Sequence, residues 1–228
     1  MDINETVAVV TGAGSGIGRA LACRLVAAGA RFVVCTDIDA DAARETANLI
    51  GSKAAAEVLD VADQAAIEDL VTRVEAAHGG IDLFVSNAGY ALGGGLNLDT
   101  DQWRDMMEVH LWAHLNAARA VVPGMIARGR GYLLNTASAA GLLTQLDSGP
   151  YAVSKHAAVA LAEWLAIHYG DRGIGVSVLC PQAVRTNILG KPSGRRSPQK
   201  SNSNQAAQDG VLAPETVADD CINAIIAE

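Results

Sequence analysis

Short runs of apolar, β-favouring residues alternate along this chain with longer segments whose apolar residues recur at helical spacing. The short runs are apolar nearly throughout, which is typical of strands covered on both faces. The alternation predicts an α/β fold with right-handed crossovers, a single-domain Rossmann-type doubly wound parallel sheet with helices on both faces. The predicted strands are 7–10, 31–35, 55–59, 83–86, 131–136 and 175–179. The predicted helices are 17–28, 40–50, 64–78, 101–128, 151–169 and 214–227.

One segment does not follow this alternation. Residues 190–210 are dense in Gly, Ser, Pro, Asn, Gln and cations, a composition that predicts a mobile loop. Because the loop follows the sixth strand, it is expected beside the ligand crevice as a substrate lid. The alternative is a surface insertion with no role. No internal repeat or second domain is apparent, so residues 1–228 are interpreted as one domain.

Composition and charge narrow the partners. Half of the residues are apolar and 18% are charged, as in a globular protein. The net charge is −8 and no basic stripe interrupts it, which argues against nucleic acid as a partner. The first residues are too acidic for a signal peptide, and no apolar run approaches the ~18 residues of a membrane span. Four scattered cysteines without a C-x-x-C pattern are interpreted as reduced thiols in a cytoplasmic protein: Cys23, Cys35, Cys180 and Cys221.

The first predicted strand runs into TGAGSGIG at residues 11–18, and a predicted helix follows. Glycines at a strand-to-helix turn let the backbone approach a pyrophosphate, whose charge suits the helix N-terminus. The spacing is T-G-x-x-x-G-x-G rather than G-x-G-x-x-G, because Ile17 and Arg19 stand where the last glycine would fall. A structural tight turn is the alternative for such a segment taken alone.

Asp37, at the end of the second predicted strand, indicates which dinucleotide is bound. A carboxylate at this place can accept hydrogen bonds from the adenosine ribose, and it would repel a 2′-phosphate. Arg19 favours the opposite choice weakly, because a cation beside the glycine turn could pair with that phosphate. The expected cofactor is NAD, with NADP less favoured.

Tyr151, Lys155 and Ser138 form a candidate proton-transfer site. Tyr151 and Lys155 are four residues apart on one helix face. A free tyrosine has a pKa of about 10, and a nearby ammonium group lowers it by favouring the phenolate. Ser138 follows the fifth predicted strand, where its hydroxyl could hold a substrate oxygen. A surface Tyr/Lys pair and a turn serine are the alternatives for each feature alone.

Together these motifs resemble the short-chain dehydrogenase/reductase family, in its compact single-domain branch, over roughly Thr6 to Ala227. The resemblance implies an NAD(P)-dependent oxidoreductase acting on CH–OH groups, with a small-molecule alcohol or ketone as substrate. The matching features occur in family order: TGAGSGIG at 11–18, Asp37, Asp60-Val61, SNAG at 86–89, Ser138 and YAVSK at 151–155.

By this resemblance Tyr151 is the general acid/base, Lys155 binds the nicotinamide ribose and lowers the tyrosine pKa, and Ser138 orients the substrate oxygen. Asp60 and Val61 would flank the adenine. The implied cofactor-binding residues are Gly12, Ser15, Gly16, Ile17, Gly18, Asp37, Asp60, Val61, Asn87, Ala88, Gly89, Tyr151, Lys155, Pro181, Val184 and Thr186.

The chain departs from the family pattern at three places. His110 replaces the Asn that supports a proton-relay water, so we expect His110 to be catalytic in an altered relay; a packed helix histidine is the alternative. His110 and His114 are four apart but lack the following Glu of a metal motif, so no metal is expected. Gln182 replaces the usual glycine after Pro181. The chain ends at Glu228 without the Gly-Gly-containing last strand that is common in the family.

The expected reaction is the reversible oxidation of a secondary alcohol to a ketone, in which Tyr151 takes the hydroxyl proton while NAD⁺ accepts a hydride. The expected pocket is largely apolar and includes residues 91–95 and the 190–210 loop. The expected substrate contacts are Ser138, Leu142, Gln145 and Gln182.

Two other functions are compatible with parts of the pattern. His110 and Gln182 are the grounds for a catalytically impaired dinucleotide-binding regulatory protein, against which the intact Ser138/Tyr151/Lys155 set argues. A nucleotide-sugar epimerase or dehydratase is disfavoured because few residues follow Pro181 for a sugar-binding region.

The two long predicted helices, 101–128 and 151–169, bear on the assembly. They carry more apolar residues than one sheet face needs, and in the family this pair forms a dimer interface. A homodimer or homotetramer is therefore expected, with ordinary core packing as the alternative.

Overall fold

A computed structural model describes residues 1–186, 188 and 210–228 of the chain. Within these residues the alternating pattern of the sequence becomes one parallel sheet with helices on both faces. The loop predicted over 190–210 lies outside the described residues except for Gly210, so it stays a prediction.

Six strands form the sheet in the order β3-β2-β1-β4-β5-β6, and every pairing is parallel. This order confirms the Rossmann-type doubly wound fold, and it reverses direction between β1 and β4. Ligands bind in such sheets where the carboxyl ends of the strands flank that reversal. The strands are β1 Val7–Thr11, β2 Phe32–Asp37, β3 Ala54–Val58, β4 Leu83–Ser86, β5 Gly131–Thr136 and β6 Ile174–Leu179.

The predicted helices are present, with one interruption. They are α1 Gly16–Ala27, α2 Ala40–Ile50, α3 Gln64–His78, α4 Thr100–Met107, α5 Ala113–Arg128, α6 Gly149–Tyr169 and α7 Pro214–Ala227. The sequence predicted one helix over 101–128, but a π-helical turn, Glu108–Trp112, joins α4 to α5. There the Ala113 N–H donates to the carbonyl of Glu108, five residues back. Such turns are rare and are frequent at functional sites.

Each face of the sheet has its own hydrophobic core. On one face, Leu21 and Leu25 of α1 and Ile225 of α7 are fully buried against the strands. On the other face the core includes Val71 of α3 and Met125 of α5. Helices cover both faces, which agrees with the nearly continuous apolar character of the strands in the sequence.

Within the described ranges, no helix has both the length and the apolarity that crossing a membrane requires. The same residues contain no group of three or more His, Cys, Asp or Glu side chains arranged to hold a metal ion. The four cysteines are unpaired; Cys35 and Cys221 are buried, and Cys23 and Cys180 are partly buried.

Candidate active site

The glycine-rich turn between β1 and α1 lies at the carboxyl edge of the sheet, at the reversal of strand order. Gly12 and Gly16 have φ values of +64° and +53°, in the left-handed region that favours glycine. A Cβ at Gly18 would lie 2.2 Å from the Gly12 carbonyl oxygen, and one at Gly12 would lie 2.9 Å from the Ala88 Cα. Only glycine therefore permits this close backbone packing, which suits the approach of a pyrophosphate. Thr186 is brought against the turn, because its Cγ2 is 2.9 Å from where a Gly16 Cβ would be.

Asp37 is held beside this turn. Its Oδ2 accepts a hydrogen bond from the Gly14 N–H at 2.9 Å, and its Oδ1 accepts one from the Asp39 N–H at 3.0 Å. Arg19, which the sequence analysis considered as a partner for a 2′-phosphate, has other partners. Its guanidinium pairs with Glu45 at 2.8 Å and donates to the Gly14 carbonyl.

Thr11 ties the turn to the segment after β4. Its Oγ1 accepts hydrogen bonds from the N–H groups of Asn87, at 2.8 Å, and Ala88, at 3.0 Å. The Asn87 side chain donates to the Thr11 carbonyl at 3.0 Å and accepts from the Thr136 hydroxyl at 3.2 Å. These bonds fix the ends of β1, β4 and β5 relative to one another.

A small cavity lies below this edge of the sheet. Thr11, Val61, Ala88, Val109 and His114 are among the residues that line it. Three of them, Thr11, Val61 and Ala88, belong to motifs that the sequence assigned to the cofactor. Asp60, the neighbour of Val61, accepts a hydrogen bond from the Ala62 N–H at 3.0 Å.

Ser138, Tyr151 and Lys155 come together at the carboxyl end of β5. Ser138 is hydrogen-bonded to the Tyr151 side chain, and its Oγ also accepts from the Ala140 N–H at 3.1 Å. The Lys155 Nζ donates to the Thr136 carbonyl at 2.9 Å and lies 5.7 Å from the centroid of the Tyr151 ring. Tyr151 and Lys155 are both buried, although both carry polar ends.

Burial controls the protonation of this pair. Burial raises the pKa of Tyr151, and the hydrogen bond from Ser138 opposes that rise. Burial also lowers the pKa of Lys155, to about 7. Both groups are thus shifted towards their neutral forms, and the lowering of the Tyr151 pKa by Lys155 stays a prediction. The shifts arise because a buried site disfavours the charged form of each group.

His110 lies in the same buried region, on the π-helical turn. Its Nε2 is 3.2 Å from the Tyr90 backbone nitrogen, and its Nδ1 is 2.9 Å from the Ser154 Oγ. Its ring meets the Tyr151 ring edge-on, with 5.5 Å between the centroids. Burial, together with the positive charge of Lys155, holds the pKa of His110 well below its usual value.

His114, one helical turn further on, is buried but differs in its contacts. Neither of its ring nitrogens has a hydrogen-bond partner among the residues that the structure describes. Burial lowers its pKa to about 3, so the ring is neutral at ordinary pH. The two histidines therefore have different environments despite their regular spacing.

The predicted substrate contacts lie on two segments that meet beside Ser138. The Ala139 N–H donates to the Pro181 carbonyl at 2.9 Å, which joins the segment after β5 to the one after β6. Leu142 is 62% exposed, Gln145 is partly buried and Gln182 is exposed. Val184 is bridged to Leu212.

Sequence reasoning missed the roles of Ser154 and Thr11. Both stand inside motifs that the sequence analysis quoted, but only as motif letters. Ser154 is three residues after Tyr151 and so shares its helix face, which was a usable signal. Thr11 is the first residue of the glycine-rich motif, and its hydrogen bonds to the segment after β4 have no signature in a single sequence.

A parallel sheet in this strand order, with a glycine-rich turn at the reversal, defines a dinucleotide-binding Rossmann-type domain. The family model described as short chain dehydrogenase matches residues 6–196, and the chain belongs to this family. It is accordingly a nicotinamide-dependent oxidoreductase that acts on CH–OH groups.

Several characterised proteins are similar to the chain. A 1-deoxy-11-beta-hydroxypentalenate dehydrogenase of Streptomyces avermitilis is 39% identical over 193 residues, 82% of this chain and 71% of that protein. A 2,5-dichloro-2,5-cyclohexadiene-1,4-diol dehydrogenase of Sphingobium indicum is 37% identical over 191 residues, 82% of this chain and 76% of that protein. A short chain dehydrogenase/reductase of Burkholderia phymatum, solved in complex with NAD, superposes with a TM-score of 0.89 at 31% identity, covering 100% of this chain and 88% of that one.

Proposed function

We propose that the chain is an NAD(H)-dependent oxidoreductase that interconverts a secondary alcohol and a ketone, with Tyr151 as general acid/base. The observation that carries this proposal is the meeting of Ser138, Tyr151 and Lys155 at the carboxyl edge of the sheet. The glycine-rich turn, which opens the backbone to a pyrophosphate, lies along the same edge. The site thus combines a dinucleotide cradle with a proton-transfer group.

The three side chains divide the work. In the direction of oxidation, the Tyr151 oxygen takes the hydroxyl proton of the alcohol while Ser138 hydrogen-bonds to the same substrate oxygen. The Lys155 ammonium stabilises the phenolate form of Tyr151 that this step requires. When bound, the nicotinamide ring supplies the hydride acceptor or donor. In the direction of reduction, Tyr151 returns the proton to the carbonyl oxygen.

Tyr151 and Lys155 titrate as a coupled pair in this mechanism. Each group alone is driven towards its neutral form by burial. Once the phenolate forms, its negative charge favours the protonated lysine, so the ionised state is stabilised as a pair. Active turnover near neutral pH depends on this mutual stabilisation.

The preference for NAD rests on the charges around the turn. Asp37 presents a fixed carboxylate beside Gly14, where a 2′-phosphate would be repelled. Arg19 is paired with Glu45 and so is not free to offset that repulsion. The similar Burkholderia phymatum protein was solved with NAD, which supports the same choice.

The substrate is proposed to be an alcohol with an apolar skeleton. Leu142, Leu143 and Leu146 are all more than half exposed on the segment that follows Ser138. Exposed apolar side chains beside a catalytic group favour an apolar ligand. The names of the similar Streptomyces and Sphingobium dehydrogenases both specify a hydroxyl-bearing compound, which supports an alcohol.

The first test is a fluorescence titration with NADH and NADPH, followed by a screen of secondary alcohols. Tyr151→Phe removes the phenolic oxygen and should lower kcat by about 100-fold or more while NADH still binds. Tyr169→Phe, at the far end of α6, is the matched control and should turn over normally. Binding of NADH without turnover of any alcohol would support the regulatory protein instead, and no binding of either dinucleotide would refute the proposal.

A further inference from the structure

His110 makes two hydrogen bonds whose directions are fixed by its partners. The Tyr90 backbone N–H can only donate, so the Nε2 of His110, 3.2 Å away, is the acceptor and carries no hydrogen. In the neutral imidazole the hydrogen is then on Nδ1, which faces the Ser154 Oγ at 2.9 Å. Ser154 in turn donates its own hydrogen to the Tyr151 carbonyl oxygen at 3.0 Å. The result is a one-way chain of hydrogen bonds from Tyr90 to the backbone of Tyr151.

The groups around His110 keep this series of hydrogen bonds in a single protonation state. His110 is fully buried, and the titratable groups around it are Tyr90, His114, Tyr151 and Lys155. A second proton on the ring would have to sit on Nε2, directly facing a backbone donor. Both ring nitrogens are therefore engaged, and neither is available to pass a proton to or from a water molecule.

This series of hydrogen bonds connects three separate parts of the site. Tyr90 follows the Asn87–Gly89 segment at the end of β4, His110 is on the π-helical turn, and Ser154 is on α6 between Tyr151 and Lys155. Contact is close on the first side, because a Cβ at Gly89 would lie 3.0 Å from the His110 Nε2. The Tyr151 ring also rests on the edge of the imidazole.

We propose that His110 is a positioning residue, which fixes Tyr151 relative to the cofactor-binding segment through Ser154 and Tyr90 rather than carrying a proton itself. This inference rests on the proposed function, in which Tyr151 is the acid/base. It replaces the relay that the sequence pattern suggested for His110. It also assigns a purpose to the π-helical turn, which places the ring between the β4 segment and α6.

The decisive variant is Ser154→Ala, because it removes the link and leaves the imidazole in place. If His110 positions Tyr151, kcat falls on the order of 10-fold, since small displacements of a catalytic group are costly. The midpoint of the kcat–pH profile also shifts, and the affinity for NADH changes little. Ser177→Ala removes a comparable hydroxyl, bonded to the Tyr132 hydroxyl at 2.6 Å and away from the site, and should leave kcat unchanged.

A double-mutant cycle with His110→Ala separates positioning from relay. Positioning predicts that the double variant is no slower than the slower single variant, because both remove the same chain of bonds. It also predicts that added imidazole does not restore turnover. A wild-type kcat and pH profile in Ser154→Ala, or recovery of His110→Ala by imidazole, would overturn the proposal.

Two measurements make the outcome independent of alcohol turnover. Long-range ¹H–¹⁵N spectra should show His110 as the neutral Nδ1–H tautomer, without titration between about pH 5 and 9. Absorbance titration of tyrosinate, with Tyr151→Phe as reference, should place the Tyr151 pKa differently in Ser154→Ala and in the wild type. If the protein shows both effects but oxidises no alcohol, only the proposed function is contradicted. An Nε2–H tautomer or an unchanged Tyr151 pKa contradicts the positioning role.

Discussion

Lys155 is a charged group that the fold buries almost completely, with the Thr136 carbonyl as the partner described for its ammonium. Burying a cation in this way costs stability, as its pKa of about 7 indicates. The cost is localised where the phenolate of Tyr151 would form. At the scale of single residues, the rest of the domain must therefore offset the stability that burying Lys155 costs.

Lys155→Met should raise stability and abolish turnover. The folded pKa of Lys155 is about 7 and the reference value is 10.5, so the unfolded chain binds more protons between these values. The wild type therefore gains stability as pH rises from 7 to about 10.5, and the advantage of the variant is greatest at or below pH 7. Thermal unfolding should show the variant more stable there, with its advantage falling by up to about 1.4 kcal/mol per pH unit towards pH 9.5. The exposed control Lys53→Met should show neither effect.

His114→Leu should make the protein more resistant to acid. The pKa of His114 is about 3 in the folded protein, below the usual 6.5. The free energy of unfolding is therefore highest above pH 6.5 and falls as the pH decreases towards 3. The loss approaches about 1.4 kcal/mol per pH unit for this one group. Denaturant unfolding at pH 7 and pH 5 measures it. If His114→Leu and the exposed control His156→Leu show the same acid dependence, burial of His114 is not the cause.

The segment between β5 and α6 is the element that presents apolar side chains to solvent beside the site. The exposed surface of these side chains adds no hydrophobic stabilisation to the folded chain; they are Leu142, Leu143 and Leu146. Isolated exposed leucines are common, but a run of three next to Ser138 fits a ligand surface better than a structural one. The specificity of the enzyme is therefore expected to depend on this element.

Leu142→Ser should weaken the binding of apolar alcohols more than that of small polar ones. Loss of one leucine contact is expected to raise KM for an apolar substrate by about 10-fold, with little change in NADH affinity. Steady-state kinetics on a matched pair of long and short alcohols gives the comparison. Leu49→Ser, at a 65% exposed leucine of α2, serves as control. Equal effects of both changes would contradict a substrate role for this segment.

The elements differ in how far the sequence determined them. Strands such as β4, Leu83–Ser86, were predicted to the residue, because an apolar run buried on both faces has few other solutions. The π-helical turn could not be predicted, since Glu108–Trp112 continues the helical pattern of its neighbours. One extra residue in a turn changes hydrogen bonding without changing apolar spacing over so short a stretch.

Across the whole molecule, the sequence predicted which residues meet but not their protonation. Ser138, Tyr151 and Lys155 stand at the ends of elements that a parallel sheet must bring to one edge. The direction of the Tyr151 pKa shift depends on how completely the helices exclude water, which no motif encodes. For the same reason, the engagement of both His110 nitrogens became visible only in the packed structure.

Dinucleotide binding should stabilise the entire domain, because the turn joins the ends of three strands. At 100 times Kd, NADH should add about 2.7 kcal/mol to the free energy of unfolding. Asp37→Asn keeps an acceptor for the Gly14 N–H and removes the charge, so the preference for NADH over NADPH should narrow by about 10-fold. Melting temperatures with each dinucleotide measure this. The exposed control Asp41→Asn should keep the wild-type preference.

The surface of α6 bears on assembly. Trp164 is 51% exposed and Ile167 is 84% exposed on its outer side. Apolar side chains of this size fit the predicted homodimer or homotetramer. Light scattering should therefore give a mass of two or four chains, and Ile167→Asp should lower it. A monomeric wild type at micromolar concentration would contradict the prediction.

The reversal of strand order between β1 and β4 also separates the residues proposed to select the coenzyme from those proposed to select the substrate. Asp37, which is proposed to select the dinucleotide, ends β2 on one side of the reversal, whereas Ser138 and Leu142 follow β5 on the other. Within the part of the chain that the structure describes, no strand carries residues proposed for both selections. An enzyme built this way can be re-engineered, or can diverge, in its choice of coenzyme without disturbing its choice of substrate.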